Sequence, residues 1–262
     1  MGDGETLVAG RDGARRDRDA SVEDVTAAVA RARGAFEAWG RLPFAARADH
    51  LRGVRRHLLD NVDEVVDTVA SATNKLPAEA MVTEVLVACE LIEWYARHGA
   101  RALRPRRVST GMFVHKRAEM RYEPVGVVGV ISPWNYPFVL TMSPVVTALF
   151  AGNTVVLKPS EITPTVGVLV GSLFAEAGDH PDLVQLVTGG GEVGEALVRS
   201  GVQKIVFTGS VNTGKAVMRA AADTLTPVVL ELGGKDPLVV DADADVERAA
   251  RAAVWGAFSN SG

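Results

Sequence analysis

Apolar residues recur at helical spacing through the first third of the chain. From Ser21 to about residue 98 they follow the period of amphipathic helices, and Ser21 with Asp24 has the spacing of a cap at the first helix. The pattern predicts three helices with these apolar positions: Val22, Val25, Val29, Ala32, Phe36 and Trp39 in the first, Leu51, Val54 and Leu58 in the second, and Met81, Val85, Ala88, Ile92 and Ala96 in the third. Residues 1–20 are polar and rich in glycine and arginine, which predicts a flexible arm.

Strand patterns begin after residue 104. Apolar and polar residues alternate from Met112 to Tyr122, which predicts two strands of an exposed ribbon over residues 106–124. From residue 125 onward, short runs that are apolar throughout alternate with helical stretches. Predicted strands cover residues 125–131, 153–158, 182–187, 203–207, 226–232 and 236–241, and predicted helices cover residues 138–150, 164–177, 192–199, 213–223 and 245–258.

This arrangement indicates the class of fold. Strands without apolar–polar alternation are typical of a parallel sheet that is covered on both faces. Strand–helix alternation of this length implies right-handed βαβ units. The sequence therefore predicts an α/β fold with a doubly wound parallel sheet, N-terminal helices and an added β-ribbon.

Composition and charge restrict the class of protein. Hydrophobic residues make up 47% of the 262 residues and charged residues 23%, which excludes a globally disordered chain. The net charge of −4 provides no global basic field for nucleic acid, and no apolar run reaches the ~20 residues of a membrane span. One cysteine, and five histidines without ligand spacing, predict neither a disulfide nor a metal site. Because the N-terminus also lacks a signal-peptide pattern, we expect a cytoplasmic protein without nucleic-acid or membrane partners.

Candidate chemistry lies in the loops after the predicted strands, because doubly wound sheets bind ligands beyond the carboxyl ends of their strands. The loop ISPWNYP (131–137) either forms a stiff turn over Trp134 or presents the Asn135 amide to a developing oxyanion. Lys158 and Glu161 either form a solvated pair or hydrogen-bond the two hydroxyls of a ribose. In the second case the carboxylate repels a 2′-phosphate.

Two glycine-rich loops follow later strands. GGGEVG (189–194) matches the dinucleotide fingerprint, but it follows the third parallel strand and lacks the acidic residue ~20 positions later, which favours a permissive turn near a cofactor. FTGSVNTGK (207–215) places glycines and Ser210 at a helix N-terminus, where phosphate binds well. A nucleoside triphosphatase is disfavoured, because Ala216 replaces the hydroxyl that a P-loop offers to magnesium.

Glu231 is a further candidate, because it stands among apolar residues just before Gly233 and Gly234. Glutamate is rarely fully buried unless paired, so a carboxyl here would have an environment-dependent pKa suited to general-base work. The alternative is a strand-end carboxylate that caps the glycine turn.

Taken together, these loops resemble the aldehyde dehydrogenase superfamily. The matching motifs are ISPWNYP, AGNTVVLKPSE, FTGSVNTGK, ELGGKDP and FSNSG, in the family's order between about Ser21 and Gly262. The resemblance implies oxidation of a small-molecule aldehyde to a carboxylate through a cysteine-bound thiohemiacetal and thioester. NAD is the cofactor expected from Glu161, with NADP also compatible. The complete enzyme is expected to be a homo-oligomer, a dimer or a tetramer, that uses the 106–124 strands.

The resemblance also implies roles for single residues. Asn135 resembles the oxyanion donor, and Glu231 resembles the base that activates water for thioester hydrolysis, a glutamate that the CoA-acylating branch typically lacks. Residues 21–231 are expected to form the NAD(P)-binding domain, with the 106–124 strands inserted, and residues 232–262 the start of a truncated catalytic domain. Cofactor contacts are implied for Ile131, Pro133, Trp134, Lys158, Ser160, Glu161, Gly191, Gly209, Ser210, Gly214 and Leu232.

The nucleophile is expected outside this sequence. In the family, F-x-N-x-G precedes glutamine, one further residue and the nucleophilic cysteine, which would stand three positions beyond Gly262. Cys89 lies in the apolar stripe of a predicted helix and is expected to be a small buried hydrophobe. We therefore expect a fragment without activity of its own. The alternatives are a non-catalytic dinucleotide-binding or structural module, such as a pseudoenzyme, and, ranked last, an unrelated dehydrogenase built on GGGEVG.

Overall fold

Seven strands form two sheets within residues 19–262, the part of the chain that the computed structural model describes. Five of them form a parallel sheet in the order β5-β4-β3-β6-β7, and the other two pair in antiparallel fashion. The strands are β1 (Arg106–Val108), β2 (Ala118–Met120), β3 (Val127–Ile131), β4 (Thr154–Lys158), β5 (Val184–Leu186), β6 (Lys204–Gly209) and β7 (Val228–Leu232). The arm predicted over residues 1–20 lies outside the described residues except for its last two.

The helices cover both faces of this sheet. They are α1 (Val22–Trp39), α2 (Phe44–Asp60), α3 (Val62–Thr73), α4 (Pro77–Ala80), α5 (Leu86–Trp94), α6 (Ala100–Ala102), α7 (Val139–Phe150), α8 (Pro164–Glu176), α9 (Gly191–Arg199), α10 (Val211–Ala222) and α11 (Val246–Phe258). Two π-helical turns, Met81–Val85 and Tyr95–Gly99, join α4, α5 and α6 into one continuous helical segment. No helix within residues 19–262 combines the length and the apolar content of a bilayer span.

The predicted fold class is confirmed. The five strands of the parallel sheet and the helices between them lie within a few residues of the predicted ranges. At the start of α1 the predicted cap is present, since Asp24 N–H donates to Ser21 Oγ at 3.2 Å and Ser21 N–H donates to Asp24 Oδ2 at 2.9 Å. The strand predicted over residues 236–241 is wrong. Those residues lie exposed with no neighbouring strand in the described chain, and a strand needs a partner for its backbone groups.

The apolar strands divide the core into two layers. On one face α7 and α8 pack on β3 and β4, with α2, α3 and α5 behind them, and Phe138, Phe150 and Phe174 are fully buried there. On the other face α1, α9 and α10 cover the sheet around Ile205 and Val29. The layer of α7 and α8 stops at β3, so the same face of β6 and β7 stays open.

The ribbon is present but shorter than predicted. Strands β1 and β2 pair Arg106 with Met120 and Val108 with Ala118. Both strands are largely exposed, as are Met112 and Val114 in the turn between them. The ribbon therefore offers its surface to other molecules, and its predicted role in oligomerisation stays a prediction.

His50 lies in an aromatic cluster that predicts a pH-dependent stability. Its ring packs edge-on against Trp39 and His180, with centroids 5.2 and 5.6 Å apart. Burial, followed by the charge of His180, lowers the pKa of His50 to about 4. Since the unfolded pKa is about 6.5, protons bind first to the unfolded chain, and stability is lost as the pH falls from about 6.5 towards 4. After allowance for partial solvent screening, we expect this group to remove about 2–3 kcal/mol from the free energy of unfolding.

Urea unfolding of the His50→Phe variant across this pH range measures the effect. The variant should lose that part of the pH dependence, whereas His115→Phe, a change at an exposed histidine, should keep it. A His50→Phe curve parallel to that of the wild type would contradict the assignment.

Candidate active site

An open cleft of about 1320 Å³ lies over the uncovered face of β6 and β7, beside α7. Residues from three strand ends line it: Pro133, Trp134, Asn135, Thr208, Gly209, Ser210, Glu231, Leu232 and Gly233. Three of the loops that the sequence predicts to carry chemistry therefore meet at one place.

The topology of the sheet explains this meeting point. From β3 the chain builds outward to β4 and β5, and it then returns to place β6 and β7 on the other side of β3. The crevice outside the carboxyl ends of β3 and β6 is thus a topological switch point, where ligands bind in open α/β sheets. Ile131 and Phe207 are register partners near the carboxyl ends of these two strands.

The loop between β3 and α7 carries Trp134 and Asn135, both exposed. Its first residue, Ser132, donates its N–H to the Lys158 carbonyl at 3.1 Å, which fixes the loop to β4. Asn135 lines the cleft, and its backbone carbonyl accepts a hydrogen bond from Asn260 Nδ2 at 3.1 Å. Trp134 is 55% exposed and does not pack beneath the turn, and both Trp134 and Asn135 line the cleft.

Lys158 and Glu161 form an ion pair at the end of β4, outside the lining of the cleft. Lys158 Nζ lies 3.0 Å from Glu161 Oε2, with the lysine side chain 5% and the glutamate side chain 57% exposed. The pKa of Glu161 is lowered, first by a hydrogen bond from the backbone N–H of Glu161 and then by the Lys158 ammonium. Its carboxyl therefore stays ionised. Ser160 is buried, and its hydroxyl oxygen accepts the N–H of Ile162 at 3.2 Å.

Glycines bring backbone close to the end of β6. A Cβ at Gly214 would lie 2.6 Å from Leu232 Cδ2, and a Cβ at Gly209 would lie 2.6 Å from the Phe207 ring, so neither position accommodates a side chain without movement. Ser210 caps α10 by accepting the Thr213 N–H at 3.1 Å. Gly191, at the start of α9, has open space around it, and a side chain there would fit.

Glu231 lies in β7 opposite Thr208, at the edge of the parallel sheet. Its apolar neighbours in the sequence do not bury it, because β7 is an edge strand and the cleft leaves this face open. The carboxyl is therefore accessible to a ligand or to water in the cleft.

Cys89, by contrast, is 3% exposed in α5 and belongs to the core. Burial raises the pKa of its thiol. Thiolates, not thiols, are the reactive form, so the prediction of an inert, buried Cys89 agrees with its environment.

Several polar contacts outside the cleft lining were not predicted. Lys75 and Glu84 form a buried ion pair, and Glu79 Oε1 accepts the Asn260 N–H at 2.6 Å. Nothing in the sequence pattern indicates these partners, because Glu84 stands in a π-helical turn and Glu79 is distant from Asn260 along the chain. Within residues 19–262 no group of His, Cys, Asp and Glu side chains is arranged to hold a metal ion.

Comparison with known proteins identifies one family. The profile of the aldehyde dehydrogenase family matches residues 14–262. Among curated relatives, 4,4'-diapolycopene aldehyde oxidase of a Methylomonas species is 46% identical over 237 residues, covering 89% of this chain and 44% of that protein. A putative succinate-semialdehyde dehydrogenase [NADP(+)] of Mycolicibacterium smegmatis is 37% identical, covering 92% of this chain and 47% of that protein. The chain thus spans about half the length of the curated relatives it matches.

The fold of the chain also resembles solved structures. The NAD+ complex of an aldehyde dehydrogenase from Bacillus cereus superposes with a TM-score of 0.85 at 35% identity, covering 92% of this chain and 50% of that one. A structure of an E. coli NADP dependent enzyme gives a TM-score of 0.85 at 33% identity, covering 91% of this chain and 50% of that one. The relatives and structural neighbours therefore include both NAD+ and NADP proteins.

Proposed function

The chain belongs to the aldehyde dehydrogenase family, and we propose that it forms the cofactor-binding half of an enzyme that oxidises an aldehyde to a carboxylate with NAD(P)⁺. The hydrogen bond from Asn260 to the Asn135 carbonyl is the observation that supports this most strongly. It brings the end of the sequence to the loop of the proposed oxyanion donor. A cysteine three positions beyond Gly262 would lie within about 10 Å of extended chain, and so within reach of the cleft.

In this mechanism the cysteine thiolate attacks the aldehyde carbon and forms a C–S bond, while the carbonyl oxygen takes up negative charge. The Asn135 side-chain amide donates a hydrogen bond to that oxygen and stabilises the tetrahedral thiohemiacetal. NAD(P)⁺, when bound, supplies the acceptor for the hydride that leaves the carbon, and a thioester remains.

Glu231, on β7, completes the reaction. Its carboxylate takes a proton from water, and the water oxygen attacks the thioester carbon. The C–S bond then breaks, which releases the carboxylic acid and restores the thiolate. Both Asn135 and Glu231 line the cleft, as this sequence of steps requires.

The residues present fit a dinucleotide. Gly209 and Gly214 leave no room for a Cβ beside Phe207 and Leu232, which keeps the turn into α10 tight, and the N-terminus of α10 adds N–H groups that favour a pyrophosphate. Lys158 and Glu161 would hold the two hydroxyls of a ribose. The remaining proposed contacts come from strand ends and adjoining loops: Ile131, Pro133, Trp134, Ser160, Gly191, Ser210 and Leu232.

Replacing Glu161 by glutamine should shift the cofactor preference. A 2′-phosphate carries about −2 charges, and the ionised carboxylate repels it, so we expect wild type to bind NAD+ more tightly than NADP+. Glu161→Gln removes that repulsion and replaces one carboxylate oxygen by an amide N–H donor, and should raise the NADP+/NAD+ affinity ratio by about tenfold. Calorimetric titration of both cofactors measures the ratio.

Glu195→Gln is the matched control, because Glu195 pairs with Arg199 on the exposed side of α9 and should leave the ratio unchanged. Tighter binding of NADP+ than NAD+ by the wild type, or an unchanged ratio in Glu161→Gln, would contradict the role of Glu161.

The proposed reaction is tested on the full-length protein that carries this chain. Mixed rapidly with NAD+ and a panel of hexanal, benzaldehyde and succinate semialdehyde, it should release a burst of NADH close to one equivalent per active site. Binding of NAD+ without any NADH from any member of a broad aldehyde panel would favour a non-catalytic dinucleotide-binding module.

We also propose that the complete protein is a homo-oligomer, a dimer or a tetramer, with the β1–β2 ribbon in its interface. The exposed apolar residues of the ribbon support this, since Val108 is 49% and Met120 39% exposed. Light scattering on the full-length protein, before and after charge substitution at these two positions, measures whether the ribbon holds the oligomer together.

A further inference from the structure

A buried ion pair lies directly behind the loop that carries Asn135. Lys75 follows Asn74, the left-handed residue that ends α3, and Glu84 stands in the π-helical turn between α4 and α5. Lys75 is 5% and Glu84 0% exposed, and the ammonium donates to Glu84 Oε1. Neither residue lines the cleft, so neither can contact a substrate there.

The second carboxylate oxygen of Glu84 holds the end of the Asn135 loop. Glu84 Oε2 accepts the backbone N–H of Phe138 at 2.8 Å and that of Val139 at 3.3 Å. These are free donors at the start of α7, and a carboxylate is the acceptor that a helix N-terminus favours. Lys75 Nζ lies 4.1 Å from the ring centre of Tyr136, the residue next to Asn135. Glu84 thus holds the backbone at the end of the loop, and Lys75 contacts the Tyr136 ring within it.

The same segment also holds the end of the sequence. The carbonyl of Asn74 accepts the Ser261 hydroxyl at 3.1 Å, and Glu79 accepts the Asn260 N–H. Asn260 in turn donates to the Asn135 carbonyl. Residues 74–84 are therefore hydrogen-bonded both to the loop of Asn135 and to the segment that leads towards the proposed nucleophile.

Stability alone is a poor explanation for such a pair. Desolvation of two charges offsets most of their attraction, and apolar residues of similar volume are often neutral or stabilising in their place. We propose that Lys75 and Glu84 are positioning residues, which set the Asn135 amide and the segment after Asn260 at the geometry that thiohemiacetal formation needs. This role rests on the proposed function and adds two residues to it.

The test uses the full-length protein and a double variant, Lys75→Met/Glu84→Leu, which removes both charges and leaves no unpaired buried ion. Active sites are counted by the amplitude of the NADH burst, and the chemical step is measured by its rate. We expect the amplitude and the Kd of NAD+ to be retained while the burst rate falls about 10–100-fold, since misplacement by about 1 Å costs that much. Unfolding alone would lower the amplitude and leave the rate unchanged.

Thr154→Val is the matched control, because it removes a buried hydrogen bond to the Ala32 carbonyl at the other end of the sheet. It should lower the Tm and leave the burst rate unchanged. If the double variant does not fold, Glu84→Asp decides, since it keeps the charge but draws the carboxylate back by one methylene. An unchanged burst rate in the folded double variant, or failing that in Glu84→Asp, would overturn the proposal.

Amide hydrogen exchange separates this proposal from the proposed function. In either variant the amides of Phe138 and Val139 should exchange at least tenfold faster, while those of α1 keep the wild-type rate. That readout needs no catalysis. Absence of aldehyde oxidation in the wild type would therefore defeat the proposed function, whereas unchanged exchange at these two amides would defeat the positioning role.

Discussion

Replacing Asn135 by alanine should lower kcat for aldehyde oxidation by the full-length protein about 10²–10³-fold, the usual cost of removing one oxyanion donor. The side chain is exposed and lines the cleft, so its removal leaves no cavity in the core. The amide acts only when the carbonyl oxygen becomes charged, and the loss should therefore appear in kcat, with the Kd of NAD+ unchanged. Single-turnover formation of NADH measures it directly.

Asn61→Ala is the matched control for this change. Asn61 Nδ2 donates to the His57 carbonyl at 2.8 Å between α2 and α3, and Asn61 does not line the cleft, so its loss should lower stability and leave kcat unaltered. An Asn135→Ala protein with normal kcat and a raised KM would show that the amide binds the substrate and not the developing oxyanion.

The sequence predicts the sheet well because local and global preferences agree there. The run VVGVI is apolar on both of its sides, and the structure buries all of β3 between α7 on one face and α1 and α9 on the other. The same agreement predicts where the loops with Asn135, Ser210 and Glu231 come together, because the carboxyl ends of parallel strands share one edge.

Local sequence pattern does not determine two features of the chain: whether residues 236–241 form a strand, and whether the side chain of Glu231 is accessible. Residues 236–241 have a strand-like composition, but they find no partner within the described residues and stay exposed. Glu231 has apolar neighbours in sequence, yet its strand lies at the edge of the sheet and its side chain is accessible. Position in the sheet, which a residue's immediate neighbours do not encode, determines the outcome in both cases.

The Lys75–Glu84 pair marks a different limit. The two residues are nine positions apart, on either side of α4, and a π-helical turn carries the glutamate. A pattern of period 3.6 does not predict a π turn, and no local rule predicts that a carboxylate will meet the start of a helix more than fifty residues later. Such positioning contacts become visible only when the packing of distant elements is known.

A protein consisting of residues 1–262 alone should oxidise no aldehyde above background, and this is the largest effect that we expect. The mechanism needs a thiolate beside Asn135, and the single cysteine of this sequence is Cys89, buried in α5 with a raised pKa. NAD+ should still bind, because the proposed cofactor residues lie within the chain. NADH absorbance with an aldehyde panel measures the oxidation, and calorimetric titration of NAD+ measures the binding. Cys89→Ala distinguishes the ways it can fail: steady NADH production that survives this substitution would mean that cysteine 89 is dispensable and another group performs the attack, whereas production abolished by it would identify Cys89 as the nucleophile.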